Sequence, residues 1–293
     1  MSSPTRPVLR WHGGKWLLAP WIIGFFPKHR VYAEPFGGAA SVLLRKPRAH
    51  AEVYNDLDAT VVNVFRVLRD PASAAELARR LALTPFARAE FDMSYEPAGD
   101  PVDAAHKTMV RSFMGFGSDS ITRTCRTGFR AALTGGGDAF PSREWGGFHE
   151  LIELYTERLR GVLIEQRPAL EVIERVDDYD VLLFLDPPYV VSTRSAMANG
   201  RSKVHGYVHE LTDDDHAELL DRLVTLRSMV VLSGYPHPLY DARLKGWARY
   251  EREALADGAK RRTEVVWINP ACAEALAAEG RRAEQLSFLE AAE

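Results

Sequence analysis

The chain has 293 residues, of which 46% are hydrophobic, 26% charged and 10% aromatic, a composition and size suited to one large α/β domain or one domain carrying an insert. A formal net charge of -3 excludes a protein that coats nucleic acid non-specifically, so any nucleic-acid binding must come from local basic patches. Cys125 and Cys272 cannot form a disulfide framework or a cysteine metal knuckle, and neither a membrane-length apolar run nor a signal peptide is seen, so a cytoplasmic location without a membrane partner is expected.

In chain order, the first distinctive segment is Arg10-Trp11-His12-Gly13-Gly14-Lys15. Paired glycines between an aromatic and a cation can close over a ligand, or can simply form an N-terminal loop anchored by a buried tryptophan. Short apolar, β-prone runs then recur at 31–34, 51–55, 162–165, 181–186, 229–233 and 265–269. Helical stretches at 39–45, 59–68, 169–175 and 213–226 lie between most of them. Alternating buried strands and helices predict a doubly wound, mostly parallel sheet. After the first strand, Glu34-Pro35-Phe36-Gly37-Gly38-Ala39-Ala40-Ser41 turns into a helix, and glycines there admit a ligand to the backbone beside the helix N-terminus. The second strand ends in Tyr54-Asn55-Asp56-Leu57-Asp58. Asp56 stands about twenty residues past the Gly turn, where an acid can accept from ribose hydroxyls, while Asp58 reads as the N-terminal acid of the next helix.

Residues 71–145 separate the second and third strands by far more than a normal crossover. Helical pieces at 72–83 and 102–113 precede a Gly-, Thr- and Arg-rich stretch. There Lys107, Arg111, Arg123, Arg126, Arg130 and Arg143 outweigh Asp119, Asp138 and Glu144, with Phe113, Phe116, Phe129 and Phe140 interspersed. Basic residues among aromatics suit a nucleic-acid face. A packing insert with solvated arginines has the same composition, and both readings stay open.

The sharpest signal is Asp186-Pro187-Pro188-Tyr189 at the end of the fourth strand, the edge at which open α/β sheets place ligands. Asp186 supplies an acceptor for one N–H of an amino group. Pro188 has no N–H and restricts Pro187, whose carbonyl is thereby held toward the second N–H. Two such acceptors push the nitrogen toward a tetrahedral lone pair able to attack a methyl group. Tyr189 offers a face on which a base extruded from its stack can rest. The loop that follows carries Arg194, Arg201, Lys203, His205 and His209 with no acid before Glu210, and can contact phosphates. His205 and His209 have a zinc-like spacing, but Gly206 and the lack of further ligands speak against a metal. Thr212 and Asp215 form a capping-box start, so Asp213-Asp214-Asp215 reads as a solvated first turn. At the end, 247–253 and 263–269 predict an antiparallel edge pair around a turn at 256–258, then a short helix and a mobile tail.

Together these segments resemble the Dam-like, D12-class DNA adenine methyltransferase family. The resemblance runs through residues 9–15, 33–42, 54–58, 186–190, 209–220, 230–235 and 262–269. It implies a Rossmann-like methyltransferase fold over 1–70 and 146–293, with 71–145 as an inserted, mainly helical target-recognition domain. S-adenosylmethionine is the implied cofactor, contacted by Trp11, Lys15, Asp56 and Asp186, with Phe36 and Gly38 lining its pocket. The implied reaction is methylation of N6 of a flipped-out adenine held by Asp186, Pro187, Pro188 and Tyr189, with no metal. Arg111, Arg123, Arg126, Arg130, Arg194, Arg201 and Lys203 are the candidate DNA contacts. Two positions depart from the pattern. His12 stands between the tryptophan and the glycine pair, and Ala40 replaces a turn glycine, which is tolerable if that position is already helical. RNA as the substrate, cytosine N4 as the acceptor, and a cofactor-dependent binding module without turnover are the alternatives.

Overall fold

Seven strands form one sheet: β1 (Val31–Glu34), β2 (Ala51–Asn55), β3 (Val162–Glu165), β4 (Val181–Leu185), β5 (Met229–Gly234), β6 (Ala248–Leu255) and β7 (Arg261–Ile268). The computed structural model describes residues 4–117, 121, 126–131, 140–190, 209–255 and 261–290. Strand order is β3-β2-β1-β4-β5-β7-β6. β1 pairs in parallel with β2 and β4, as do β2 with β3 and β4 with β5, whereas β7 runs antiparallel to β5 and β6. The chain therefore winds from β1 out to β3 and returns to β4. The resulting switch point lies between β1 and β4, where a crevice opens at the carboxyl ends of the strands.

Central strands covered on both faces need continuous apolar sequence, and every residue of β4, Val-Leu-Leu-Phe-Leu, is buried. Successive side chains point to opposite faces. Leu182 and Phe184 accordingly join the larger buried cluster, while Val181, Leu183 and Leu185 join the smaller one. The larger cluster is closed by helices α1 (Ala19–Ile23), α2 (Ser41–Arg45), α3 (Ala59–Arg69), α4 (Pro71–Leu83), α5 (Arg88–Met93), α6 (Pro101–Met114), α7 (Pro141–Gly146), α8 (Ile152–Leu159) and α12 (Pro270–Glu290). Helices α9 (Ala169–Val176), α10 (Asp213–Leu223) and α11 (Pro238–Arg243) close the smaller one.

Local chemistry explains the helix starts. The side chains of Asp58, Asp70 and Asp100 accept backbone N–H groups at the N-termini of α3, α4 and α6, and proline opens α4 and α6. Thr212 and Asp215 form the expected reciprocal capping box on α10. Two boundaries differ from expectation. α12 extends over 21 residues rather than stopping short. α2 begins at Ser41 rather than residue 39, because Gly38 (φ 47°) and Ala40 (φ 52°) both adopt left-handed backbone. Ala40 is thus not yet helical, and the absent turn glycine leaves a strain of about 1–2 kcal/mol at that position. The turn expected at 256–258 lies outside the described residues.

The long excursion between β2 and β3 packs on α3 and α8. Leu77 of α4, Phe91 of α5 and Met109 of α6 belong to the same buried cluster as Phe65 of α3 and Tyr155 of α8. Trp145 of α7 donates its indole N–H to the Thr84 carbonyl at 2.6 Å and stacks on Phe148. The helices of this region are therefore fixed relative to the crevice by shared core.

Candidate active site

The Gly turn after β1 is fastened to the end of β2 by hydrogen bonds from both directions. Gly37 N–H donates to the Asn55 carbonyl (2.7 Å), the Tyr54 hydroxyl donates to the Gly38 carbonyl (2.7 Å), and Asn55 Nδ2 donates to the Pro35 carbonyl (2.9 Å). Two positions require glycine. A β-carbon on Gly37 would lie 2.3 Å from the Tyr54 ring, and one on Gly38 would lie 2.8 Å from Trp11 Nε1. Trp11 thus closes the N-terminal loop onto the turn, and Arg10 N–H ties that loop to α6 through Ser112 Oγ (2.7 Å).

Asp56, beyond β2, accepts the N–H groups of Gly38 (2.8 Å) and Asp58 (2.9 Å). Burial pushes its carboxyl up, with the two amide donors opposing. At the end of β1, the fully buried Glu34 accepts the Tyr32 hydroxyl (2.5 Å), and burial pushes its carboxyl up to about 8, so it is mostly protonated at neutral pH.

A cavity of about 470 Å³ joins these parts, within the range of roughly 300–1,000 Å³ common for small-molecule sites. Trp11, Lys15, Phe36, Gly38, Asp56 and Asp186, all singled out in the sequence, line it together with Pro188. Glu34, His209, Glu210 and Asp215 also line it. Glu34 had one sequence signal, an acid opening the Pro-Phe-Gly-Gly turn. His209, Glu210 and Asp215 lie in a stretch the resemblance covers, but none was expected in the pocket.

Asp186 stands at the carboxyl end of β4 with both oxygens engaged. Lys15 Nζ lies 2.9 Å from Oδ2, and Ser233 Oγ, at the end of β5, donates to Oδ1 at 3.0 Å. Lys15 also donates to the Gly13 carbonyl (2.8 Å), so the N-terminal loop presents its ammonium to the end of β4. Tyr189 and Pro187 do not line the cavity; both are buried behind it. The Tyr189 hydroxyl donates to Glu264 Oε2 (2.8 Å), its ring meets Tyr235 edge-on at 4.2 Å, and Lys15 Nζ sits 4.7 Å above its centroid. An ammonium thus sits over one face of the ring expected to receive a base. Ser233 and Tyr235 belong to a segment the sequence marks as a strand end, whereas Glu264 carried no signal as a site residue.

Of the candidate nucleic-acid contacts, the three that are described, Arg111, Arg126 and Arg130, do not line this cavity. Arg111 is the least available, half-buried over Tyr95 and donating to the Ser94 carbonyl and Thr108. Arg126 is exposed and pairs with Asp92, and Arg130 reaches Glu144 at 3.3 Å. Arg123, Arg194, Arg201 and Lys203 lie outside the described residues, as does His205. Among the described residues, no helix is long and apolar enough to cross a membrane.

A sheet ordered 3-2-1-4-5-7-6, with a reversed seventh strand and an acid-lined crevice at its switch point, is a Rossmann-like methyltransferase fold. The chain belongs to the D12 class N6 adenine-specific DNA methyltransferase family, whose family model matches residues 11–243. Membership gives the reaction, methylation of adenine N6 in DNA. No curated protein sequence matches the chain.

Proposed function

We propose that the methyl donor is S-adenosylmethionine, held in the cavity of about 470 Å³, and that the acceptor adenine is turned out of the duplex against Asp186. The observation that carries this reading is the Asp186 carboxylate at the cavity wall, oriented by Lys15 and Ser233. The residues fit the donor. The glycine turn lets Tyr54 and Trp11 close against its backbone, Asp56 has lone pairs left that would accept ribose hydroxyls, and Trp11 lines the same cavity and would supply an aromatic face to the adenosyl group. Bound there, the donor supplies an electrophilic methyl group whose leaving group is a neutral thioether.

The protein's own part is positioning and electrostatics. Asp186 accepts one N–H of the target amino group, and the Pro187 carbonyl, fixed by the proline after it, accepts the other. No strong base is required, because N6 loses its proton only after gaining the methyl group. Stacking on the covered face of Tyr189 requires Lys15 to leave that face. In this reading 71–145 contacts DNA around the site, with Arg126 and Arg130 on the described part. Arg123, Arg194, Arg201 and Lys203 are assigned to phosphates on sequence alone.

The test is incubation of a random-sequence DNA pool with methyl-labelled donor, followed by nucleoside analysis and mapping. The expected product is N6-methyladenine at a defined sequence, with a matched RNA pool unlabelled. Label on cytosine, or none on DNA, refutes the reading.

A further inference from the structure

The β6–β7 ribbon is longer than its attachment to the sheet. β7 pairs with β5 only from Val265 to Ile268, yet its pairing with β6 continues to Arg261↔Leu255. Because Val265 stands opposite Gly234, the last residue of β5, Glu264 is the first β7 residue beyond that edge. Val266 points into the larger cluster, so Glu264, two residues earlier, faces the same side. There its carboxyl receives the Tyr189 hydroxyl at 2.8 Å. Both residues are less than a tenth exposed.

A carboxylate this deep is unfavourable unless it is used, and an apolar residue would fill the space at lower cost. Ser233 cannot replace it as an anchor, since its contact with the Tyr189 hydroxyl is 3.3 Å, beyond the usual O–H···O range. Ser233 instead turns its proton to Asp186. The contacts therefore run from Glu264 to Tyr189, past Ser233, to Asp186.

We propose that Glu264 is a positioning residue for methyl transfer, holding the Tyr189 ring at the angle at which it receives the base. Glu264 lies beyond the residues the family match covers. The inference rests on the reading of Asp186 and Tyr189 given above. The hydrogen bond between Glu264 and Tyr189 sits among the charges of Lys15, Asp186 and Arg262, so the signature that singles out the hydroxyl is energetic coupling to it.

The test uses the full chain and compares Glu264→Ala, Glu264→Gln, Tyr189→Phe and the Glu264→Ala, Tyr189→Phe double variant. kcat is measured at saturating DNA and donor, with donor Kd by calorimetry. Glu264→Ala and Tyr189→Phe should each lower kcat by about tenfold, the scale of one buried hydrogen bond, with donor Kd within about twofold of wild type. Glu264→Gln keeps an acceptor oxygen and should stay within about threefold of wild type. The double variant should be no slower than the worse single one. Wild-type kcat in a folded Glu264→Ala protein, losses that multiply in the double variant, or Gln behaving as Ala would each overturn the role. If Glu264→Ala does not fold, Glu264→Leu, closer in volume and lacking an acceptor, takes its place in the same cycle. A wild-type chain that methylates no adenine rejects the proposed function before any variant is made. An active wild type with the wrong variant pattern rejects only the role of Glu264.

Discussion

The two halves of the crevice are built differently. On the side proposed to hold the donor, strand-end backbone holds the shape: Gly37 to Asn55, Tyr54 to Gly38, Asn55 to Pro35, with the Asp56 carboxylate fastened to the Gly38 N–H. On the base side, side chains hold side chains: Lys15 and Ser233 on Asp186, Glu264 on Tyr189. A donor identical at every turnover favours a rigid cradle, because preorganisation lowers the ordering cost of binding. A base that stacks on the Tyr189 face under Lys15 needs that one side chain to swing away while Glu264 keeps the ring in place.

That contrast can be broken by substitution. Gly37→Ala should have the largest effect, because its β-carbon collides with Tyr54, a fully buried ring packed on Phe65 and unable to yield. Donor affinity measured by calorimetry should fall at least about tenfold, corresponding to 1–3 kcal/mol of overpacking. Ser233→Ala removes one donor to Asp186 and should lower kcat by about three- to tenfold while leaving donor Kd within about twofold. Unchanged donor affinity in the first variant, or a donor-binding defect in the second, would erase the distinction between the halves.

A separate effect is on stability. Burial raises Glu34 to about 8 in the folded chain, while the unfolded chain ionises near the ordinary glutamate value of about 4.3. Below that value both states are protonated and Glu34 adds no pH dependence. As pH rises toward 8, only the unfolded state sheds the proton, so the folded state loses stability until the trend levels off. Glu34→Gln removes this loss. Its Tm difference from wild type should shift in its favour between about pH 5 and pH 8. A difference flat with pH would show that Glu34 is charged in the folded chain.

The donor half was the more legible one. Gly37, Gly38 and Asp56 are residue types demanded by backbone geometry, and such demands survive in a linear reading. Asp186-Pro187-Pro188-Tyr189 was legible for the same reason, since paired prolines at a strand end constrain backbone. Glu264 was not, because an acid in the terminal antiparallel pair reads as a solvated position until register places it beside Tyr189. Ala40 misled in the other direction. A good helix former next to a helical run suggested helix, but the two left-handed residues that bring the turn onto Trp11 delay α2 to Ser41. Helical pieces at 72–83 and 102–113 were expected from the sequence, yet their shared core with α3 and α8 depends on long-range packing.

The most direct measurement is single-turnover methyl transfer to the mapped DNA site by Asp186→Ala, alongside its Tm. The expected result is a loss of at least about a thousandfold in rate, the scale at which removal of a group acting in the transition state is felt, with the fold intact. Transfer at a rate near that of wild type by the folded variant would contradict the account.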